Sequence, residues 1–250
     1  MDPIIAVVFV AGLFLGTLLN VVIIRLPRER DLGGKPRCTG CGQPLAWWQL
    51  LPVLGWLVQG GRGRCCGRRL HWIFPLVEIL MAAALTRFYI LYGTQPIFFY
   101  LAFVAAVLLI TGAIDWLHRS IYTFVILGAA LIALLASLGL WDHHNIVNAL
   151  LGMLVAGFVF VIFFLLARLL FPGKAAPFGL GDVYLGIFIG AALGLTRLTP
   201  ALFYGMLLAG IYSALLIVIR SLGREIPEYI SYGSFLCLGA LSFLVWNGLG

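Results

Sequence analysis

Of the 250 residues, 63% are hydrophobic and only 10% are charged, a composition outside that of soluble globular domains, so lipid is the expected solvent. The formal charge of +7 arises from sixteen Lys and Arg against nine Asp and Glu. It does not read as a nucleic-acid surface, because no stripe of basic residues interleaved with aromatics accompanies it.

A transmembrane helix needs roughly 20 apolar residues to cross about 30 Å of hydrocarbon. Runs of that kind recur along the chain, and they predict an all-α polytopic membrane protein of about eight transmembrane helices with a small cytoplasmic loop domain between the first two. The first apolar run, residues 4–25, lacks a preceding basic stretch and a following small-residue cleavage site, so it reads as a retained span and not as a signal peptide. The others are expected at 75–93, 96–114, 121–140, 147–171, 183–195, 199–220 and 232–248. The sixth is short and carries Gly186, Gly190 and Gly194. It either tilts little through a locally thin region or begins inside a protein-lined cavity, and glycines at this spacing also permit close helix contact. The resulting division is a first transmembrane helix over 1–26, a loop domain over 27–74, and a transmembrane core over 75–250.

Nine of the sixteen basic residues lie between the first two spans (Arg25, Arg28, Arg30, Lys35, Arg37, Arg62, Arg64, Arg68 and Arg69). Five more fall on the same side of an eight-span arrangement, at Arg119, Arg168, Lys174, Arg220 and Arg224, whereas only Arg87 and Arg197 fall on the other. Cytoplasmic loops carry the excess of Lys and Arg, so the long loop is expected in the cytoplasm and both termini outside.

The loop domain is too small for a large core and calls for a staple. It holds Cys38, Cys41, Cys65 and Cys66, four of the five cysteines. Cys38-x-x-Cys41 is a knuckle whose two thiolates can meet one tetrahedral zinc, and a second knuckle about twenty residues on would complete the site. That second half is irregular: Gly63 stands where its first cysteine is expected, and Cys65 is displaced next to Cys66. Three readings stay open: a structural zinc on these four residues or with His71 as a substitute, a metal-free reduced loop, and a redox pair. Cys237, in the last apolar run, reads as a packed core residue.

Glu78, Asp115 and Asp182 are the acidic residues that the loops do not absorb. An ionisable group at membrane depth costs at least about 2.5 kcal/mol on insertion scales, which makes each a functional candidate. Asp115 closes the third span and Asp182 opens the sixth after Gly179-Leu180-Gly181, so both belong near the cytoplasmic side. Brought together, two carboxylates can hold one proton between them, the condition for activating water against an amide. Gly179 and Gly181 would let an extended substrate backbone come close. The plainer reading of Asp182 is a cap at a helix start. Glu78 either lines a polar cavity that receives substrate or pairs with an arginine of the loop, with the pair the favoured reading. His118 reads as interfacial, and His143-His144 as part of a solvated external loop. A proton-coupled transporter using Asp115 and Asp182 is the alternative function, although no internal repeat supports it.

Taken together, these residues resemble the type IV prepilin peptidase family of GxGD aspartyl intramembrane proteases. The resemblance runs from Gly16-Thr17-Leu18-Leu19-Asn20 through Arg25-Leu26-Pro27, Cys38-x-x-Cys41, Leu51-Pro52 and Phe74-Pro75-Leu76-Val77-Glu78. It continues with Asp115, Gly179-Leu180-Gly181-Asp182, and the segment from Ser231-Tyr232-Gly233 to Gly239-Ala240. It implies that Asp115 and Asp182 are the catalytic pair. It also implies cleavage of a short basic leader after glycine at the cytoplasmic membrane face, in prepilin or pseudopilin substrates of type IV pilus and type II secretion systems. N-methylation of the new terminus with S-adenosylmethionine follows in many members and is associated with the cysteine-bearing loop. The chain departs from the family pattern at Ile121-Tyr122, where Ile-Pro is usual, and at Tyr184, where lysine is usual.

Overall fold

The computed structural model describes residues 3–29, 33–38, 40–138, 145–170, 179–222 and 230–249. His143, His144, Arg30, Lys174 and Arg224 lie outside the described residues. The described residues are mainly helical, with two isolated antiparallel bridges and no named strand among them. In chain order the α-helices are α1 (Pro3–Arg25), the short α2 (Leu54–Val58), α3 (Ile73–Tyr92), α4 (Pro96–His118), α5 (Thr123–Ala136), α6 (Ile146–Leu170), α7 (Leu180–Leu193), α8 (Leu195–Ser221) and α9 (Tyr232–Asn247).

All eight expected apolar helices are present as α1 and α3 to α9. Five of them, α1, α3, α4, α6 and α8, are long and apolar enough to cross a bilayer; α5, α7 and α9 are shorter. Fourteen residues of α7 rise only about 21 Å, less than the hydrocarbon thickness. The chain is thus an all-helical, multi-pass membrane protein. Two compact units divide it, Met1–Ala113 and Ile114–Gly250, with the division falling inside α4.

In the first unit, α1 and α3 pack side by side. Small residues make this possible: a Cβ on Gly12 would lie 2.5 Å from the Ala82 Cα, and one on Gly16 would lie 2.5 Å from the Glu78 Cα. Backbone-to-backbone approach of this kind drives helix association where lipid gives no hydrophobic incentive. Pro27 ends α1 in a single 3-10 turn, Leu26–Arg28. The chain then forms the loop domain before α3 begins.

In the second unit, α7 is the central helix. It packs against α5, α6, α8 and α9, and Asp182, Val183, Leu185, Gly186, Phe188 and every residue from Ile189 to Leu193 are buried. Gly190 and Gly152 bring the α7 and α6 backbones together, and Gly186 seats the Phe160 ring. Gly194 ends the helix with φ 75 and donates its N–H to the Gly190 carbonyl, so α8 starts at once. The sixth predicted span therefore uses its glycines for contact and for its stop. Outward stripes on α6 (Leu154, Phe158, Val161, Leu165) and α8 (Phe203, Leu207, Ile211, Leu215) stay exposed, as lipid-facing surfaces do.

Candidate active site

Asp115 sits three residues before the end of α4 and Asp182 in the first turn of α7, and both are buried, at 7% and 9% exposure. The backbone N–H and Oγ–H of Ser234, at the start of α9, donate to Asp115 Oδ2 at 2.8 and 3.0 Å. The N–H of Gly179 donates to Asp182 Oδ2 at 3.0 Å. Asp182 therefore does close the first turn of its helix, through Oδ2, while Oδ1 faces Gly233.

The glycine between these groups measures their separation. A Cβ on Gly233 would fall 3.0 Å from Asp115 Oδ2 and 3.2 Å from Asp182 Oδ1, so the two oxygens are no farther apart than the sum of these distances, about 6 Å. Carboxylates from two helices distant in sequence thus face one small space that only a glycine leaves open. Ile121 packs beside it: a Cβ on Gly181 would meet the Ile121 Cβ at 2.9 Å, and one on Gly233 would meet Ile121 Cδ1 at 3.1 Å. Gly179 is under no such constraint, since its Cβ would lie 3.8 Å from Asp182 Oδ2.

Sequence reasoning did not single out Ser234 or the steric role of Gly233 and Ile121. The sequence signal for Ser234 is a hydroxyl in an apolar run directly after Ser231-Tyr232-Gly233, and for Ile121 its position six residues after Asp115.

Glu78 belongs to the first unit. Its Oε1 accepts from Thr17 Oγ1 at 2.9 Å and Asn20 Nδ2 at 3.1 Å, and its Oε2 accepts from the Val53 N–H at 2.7 Å. All three donors are neutral, so the expected arginine pair is not what holds Glu78 among the described residues. Arg25 instead donates to the carbonyls of Gly33, Gly34 and Lys35. The Val53 backbone is bent to φ 58 to reach Glu78, a conformation costly for a β-branched residue. Glu78 and Asn20 line a cavity with Trp56, Leu51, Leu70 and Phe74.

The loop domain contains two knuckles of matching construction. Bridges Arg37↔Pro44 and Arg62↔Arg69 close them. In the first, Gly42 N–H donates to the Cys38 carbonyl at 3.0 Å; in the second, Gly67 N–H donates to the Gly63 carbonyl at 2.7 Å. Gly63 therefore occupies the position of Cys38, and Cys66 that of Cys41. The missing thiol is supplied by Cys65, whose Sγ lies 3.0 Å from Cys41 Sγ, while Cys38 and Cys66 Sγ are 3.7 Å apart.

All four sulfurs fall within 4.8 Å of one another. A tetrahedral zinc with bonds of about 2.3 Å sets its thiolates about 3.8 Å apart, so the donor set fits such an ion. Backbone N–H groups, chiefly that of Cys41, lower the Cys38 thiol to about 6 against the opposing effect of burial. Thiol neighbours, Cys41 first, push Cys65 up to about 12. His71 stands apart from it, with Nδ1 accepting from the Ile73 N–H at 3.2 Å, and burial lowers its imidazole. The adjacent cysteines, and not His71, complete the set.

Comparison with known proteins agrees with this architecture. Residues 10–92 match the bacterial peptidase A24 N-terminal domain, and residues 102–214 match the type IV leader peptidase family. Three similar proteins carry the name prepilin leader peptidase/N-methyltransferase: one from Myxococcus xanthus is 32% identical over 90% of this chain and 67% of its own length. One from Bacillus subtilis is 28% identical over 98% of this chain and 99% of its own, and one from Klebsiella pneumoniae is 31% identical over 78% and 87%. No solved structure matches the chain. With both halves of its length matched in order and relatives above 30% identity along most of it, the chain belongs to the type IV leader peptidase family and is a membrane peptidase of that family.

Proposed function

We propose that the protein removes the leader of type IV prepilins or pseudopilins, after glycine and at the cytoplasmic membrane face, with Asp115 and Asp182 as an aspartate dyad. The observation that carries this reading is the approach of the two carboxylates around Gly233, within about 6 Å of each other. In the proposed reaction one carboxylate is ionised and takes a proton from water while the water oxygen bonds to the scissile carbonyl carbon. The other carboxyl gives its proton to the carbonyl oxygen. Collapse of the tetrahedral intermediate then breaks the C–N bond, and the amine leaves with a proton returned by the dyad.

The hydrogen bonds support a division of labour. Asp115 accepts two donors from Ser234, which suits the ionised partner, whereas Asp182 accepts one from Gly179. Gly181, kept free of a side chain by Ile121, and Gly179 would receive the substrate backbone. Glu78 would serve ligand binding in the first unit.

Methylation of the new amino terminus is proposed as the second activity, because the relatives are named for both and the first unit holds a cavity bounded by an acceptor pair and apolar walls. Asn20 Oδ1 is buried there without a hydrogen-bond partner, which fits the charged end of S-adenosylmethionine or of its acceptor. When bound, that cofactor supplies an electrophilic methyl group. Cys38, Cys41, Cys65 and Cys66 would hold one structural zinc. The proposed setting is a bacterial inner membrane with both termini in the periplasm.

The experiment is a processing assay on prepilin with purified protein, read by mass spectrometry with and without methyl donor. Asp115→Asn and Asp182→Asn are each expected to lower leader removal by about a thousandfold or more, while remaining in the membrane. Processing at the wild-type rate by either variant refutes the dyad, and a mass gain of one methyl group beyond cleavage establishes the second activity.

A further inference from the structure

We infer that the cavity between α1, the loop domain and α3 is a binding site for a primary ammonium group, with Glu78 and Asn20 as its acceptors. This deepens the proposed function and rests on it for the choice of ligands.

Two acceptors at this site are under-used. Asn20 is 6% exposed, and both protons of its amide nitrogen have destinations, the Phe74 carbonyl at 3.0 Å and Glu78 Oε1 at 3.1 Å. Turning the amide over would lose both bonds, so Oδ1 is a true orphan acceptor facing no protein donor. Glu78, 7% exposed, receives three hydrogen bonds from neutral donors, which leaves one acceptor position open and its charge uncompensated by any cation among them.

Burying an unpaired acceptor beside a carboxylate that no cation among the described residues pairs with is costly, and the cost is met when a ligand supplies both hydrogen and positive charge. Water would satisfy Oδ1 but leave the charge. A hard divalent ion demands six or more oxygens, more than this pair offers. A primary ammonium supplies three donors from one point, and Trp56, Leu51, Leu70 and Phe74 offer walls to the organic body behind it. The basic residues that also line the cavity, Arg25 and Arg37, are not among the donors to Glu78, and Arg25 donates to the carbonyls of 33–35.

Two ligands of the proposed reaction carry such a group: the new amino terminus of a processed substrate, and the amino-acid end of the methyl donor. The test measures binding to the full-length protein in detergent with two matched pairs. The first pair is a leaderless substrate peptide with a free amino terminus and its N-acetylated twin. The second is S-adenosylhomocysteine and 5′-methylthioadenosine, which lacks the amino-acid end. In the wild type, the ammonium-bearing member of one pair is expected to bind at least about tenfold more tightly, and the pair that does so identifies the source. Glu78→Gln is expected to abolish that preference.

Equal affinities within both pairs in the wild type overturn the inference without any variant being needed. So does a preference that persists undiminished in a folded Glu78→Gln protein. Leader removal is read separately on the wild type, so a chain that discriminates the ammonium but does not cleave prepilin retains this site and loses the proposed function.

Discussion

Asp115 and Asp182 are held by different devices, and each device predicts a phenotype. Ser234 gives Asp115 two hydrogen bonds, one of them from its side chain. Ser234→Ala removes only the hydroxyl, a hydrogen bond to a charged group worth about 1.5–3 kcal/mol, so leader removal is expected to fall roughly ten- to a hundredfold while the protein keeps its melting temperature. An unchanged cleavage rate would show that Asp115 does not need the Ser234 hydroxyl and is held well enough by the backbone N–H of α9. Gly233→Ala acts on both acids at once, because its methyl group would sit 3.0 and 3.2 Å from their oxygens; a loss larger than that of Ser234→Ala is expected in the same assay. The two acids were legible in the sequence because charge is scarce in an apolar chain, so each one stands out. Ser234 and Ile121 were not, since a hydroxyl in an apolar run and one more isoleucine acquire meaning only when α4, α7 and α9 meet.

At the level of elements, the knuckles explain why an irregular cysteine pattern still gives a complete donor set. The turn geometry of Gly63 repeats that of Cys38, and the absent sulfur is replaced from two residues along by Cys65. A Cβ on Gly63 would point into the cluster, 3.7 Å from Cys38 Sγ and 3.8 Å from Cys66 Sγ. Cys65→Ser is therefore expected to lose zinc, and the double substitution Gly63→Cys with Cys65→Ser to regain it, as metal analysis of the purified protein would reveal. Zinc needs thiolates, so uptake must compete with protons. With the Cys38 thiol lowered to about 6 and Cys65 pushed up to about 12, apparent zinc affinity is expected to rise from pH 6 to pH 8 and fall on acidification; a flat profile would count against thiolate ligation. In the transmembrane region, Gly190 touches the Gly152 backbone, and Gly190→Leu is expected to destabilise the α6 and α7 pair by several kcal/mol, measurable as a lowered melting temperature. Helix number followed from hydropathy alone. So did the shortness of α7, and α9 ends within a residue of its expected bound; α5 is six residues shorter than its expected span, because apolar residues beyond its ends blur where an apolar helix stops.

Across the whole molecule, the distribution of arginine and lysine predicts orientation. Reporter fusions at the C-terminus are expected to be active in the periplasm, and thiol reagents that cannot cross the membrane should reach Cys41 and Cys65, both exposed, only from the cytoplasmic side. The reverse pattern would invert the topology and put the loop domain outside. The carboxylate pair draws its residues from Ile114–Gly250 alone, and the acceptor-lined cavity draws its own from Met1–Ala113 alone. This containment bears on how inhibitors are sought. A screen scored on leader release samples chemistry suited to the acids and is blind to compounds that occupy the other unit, so resistance substitutions raised against one class of drug leave the second target intact.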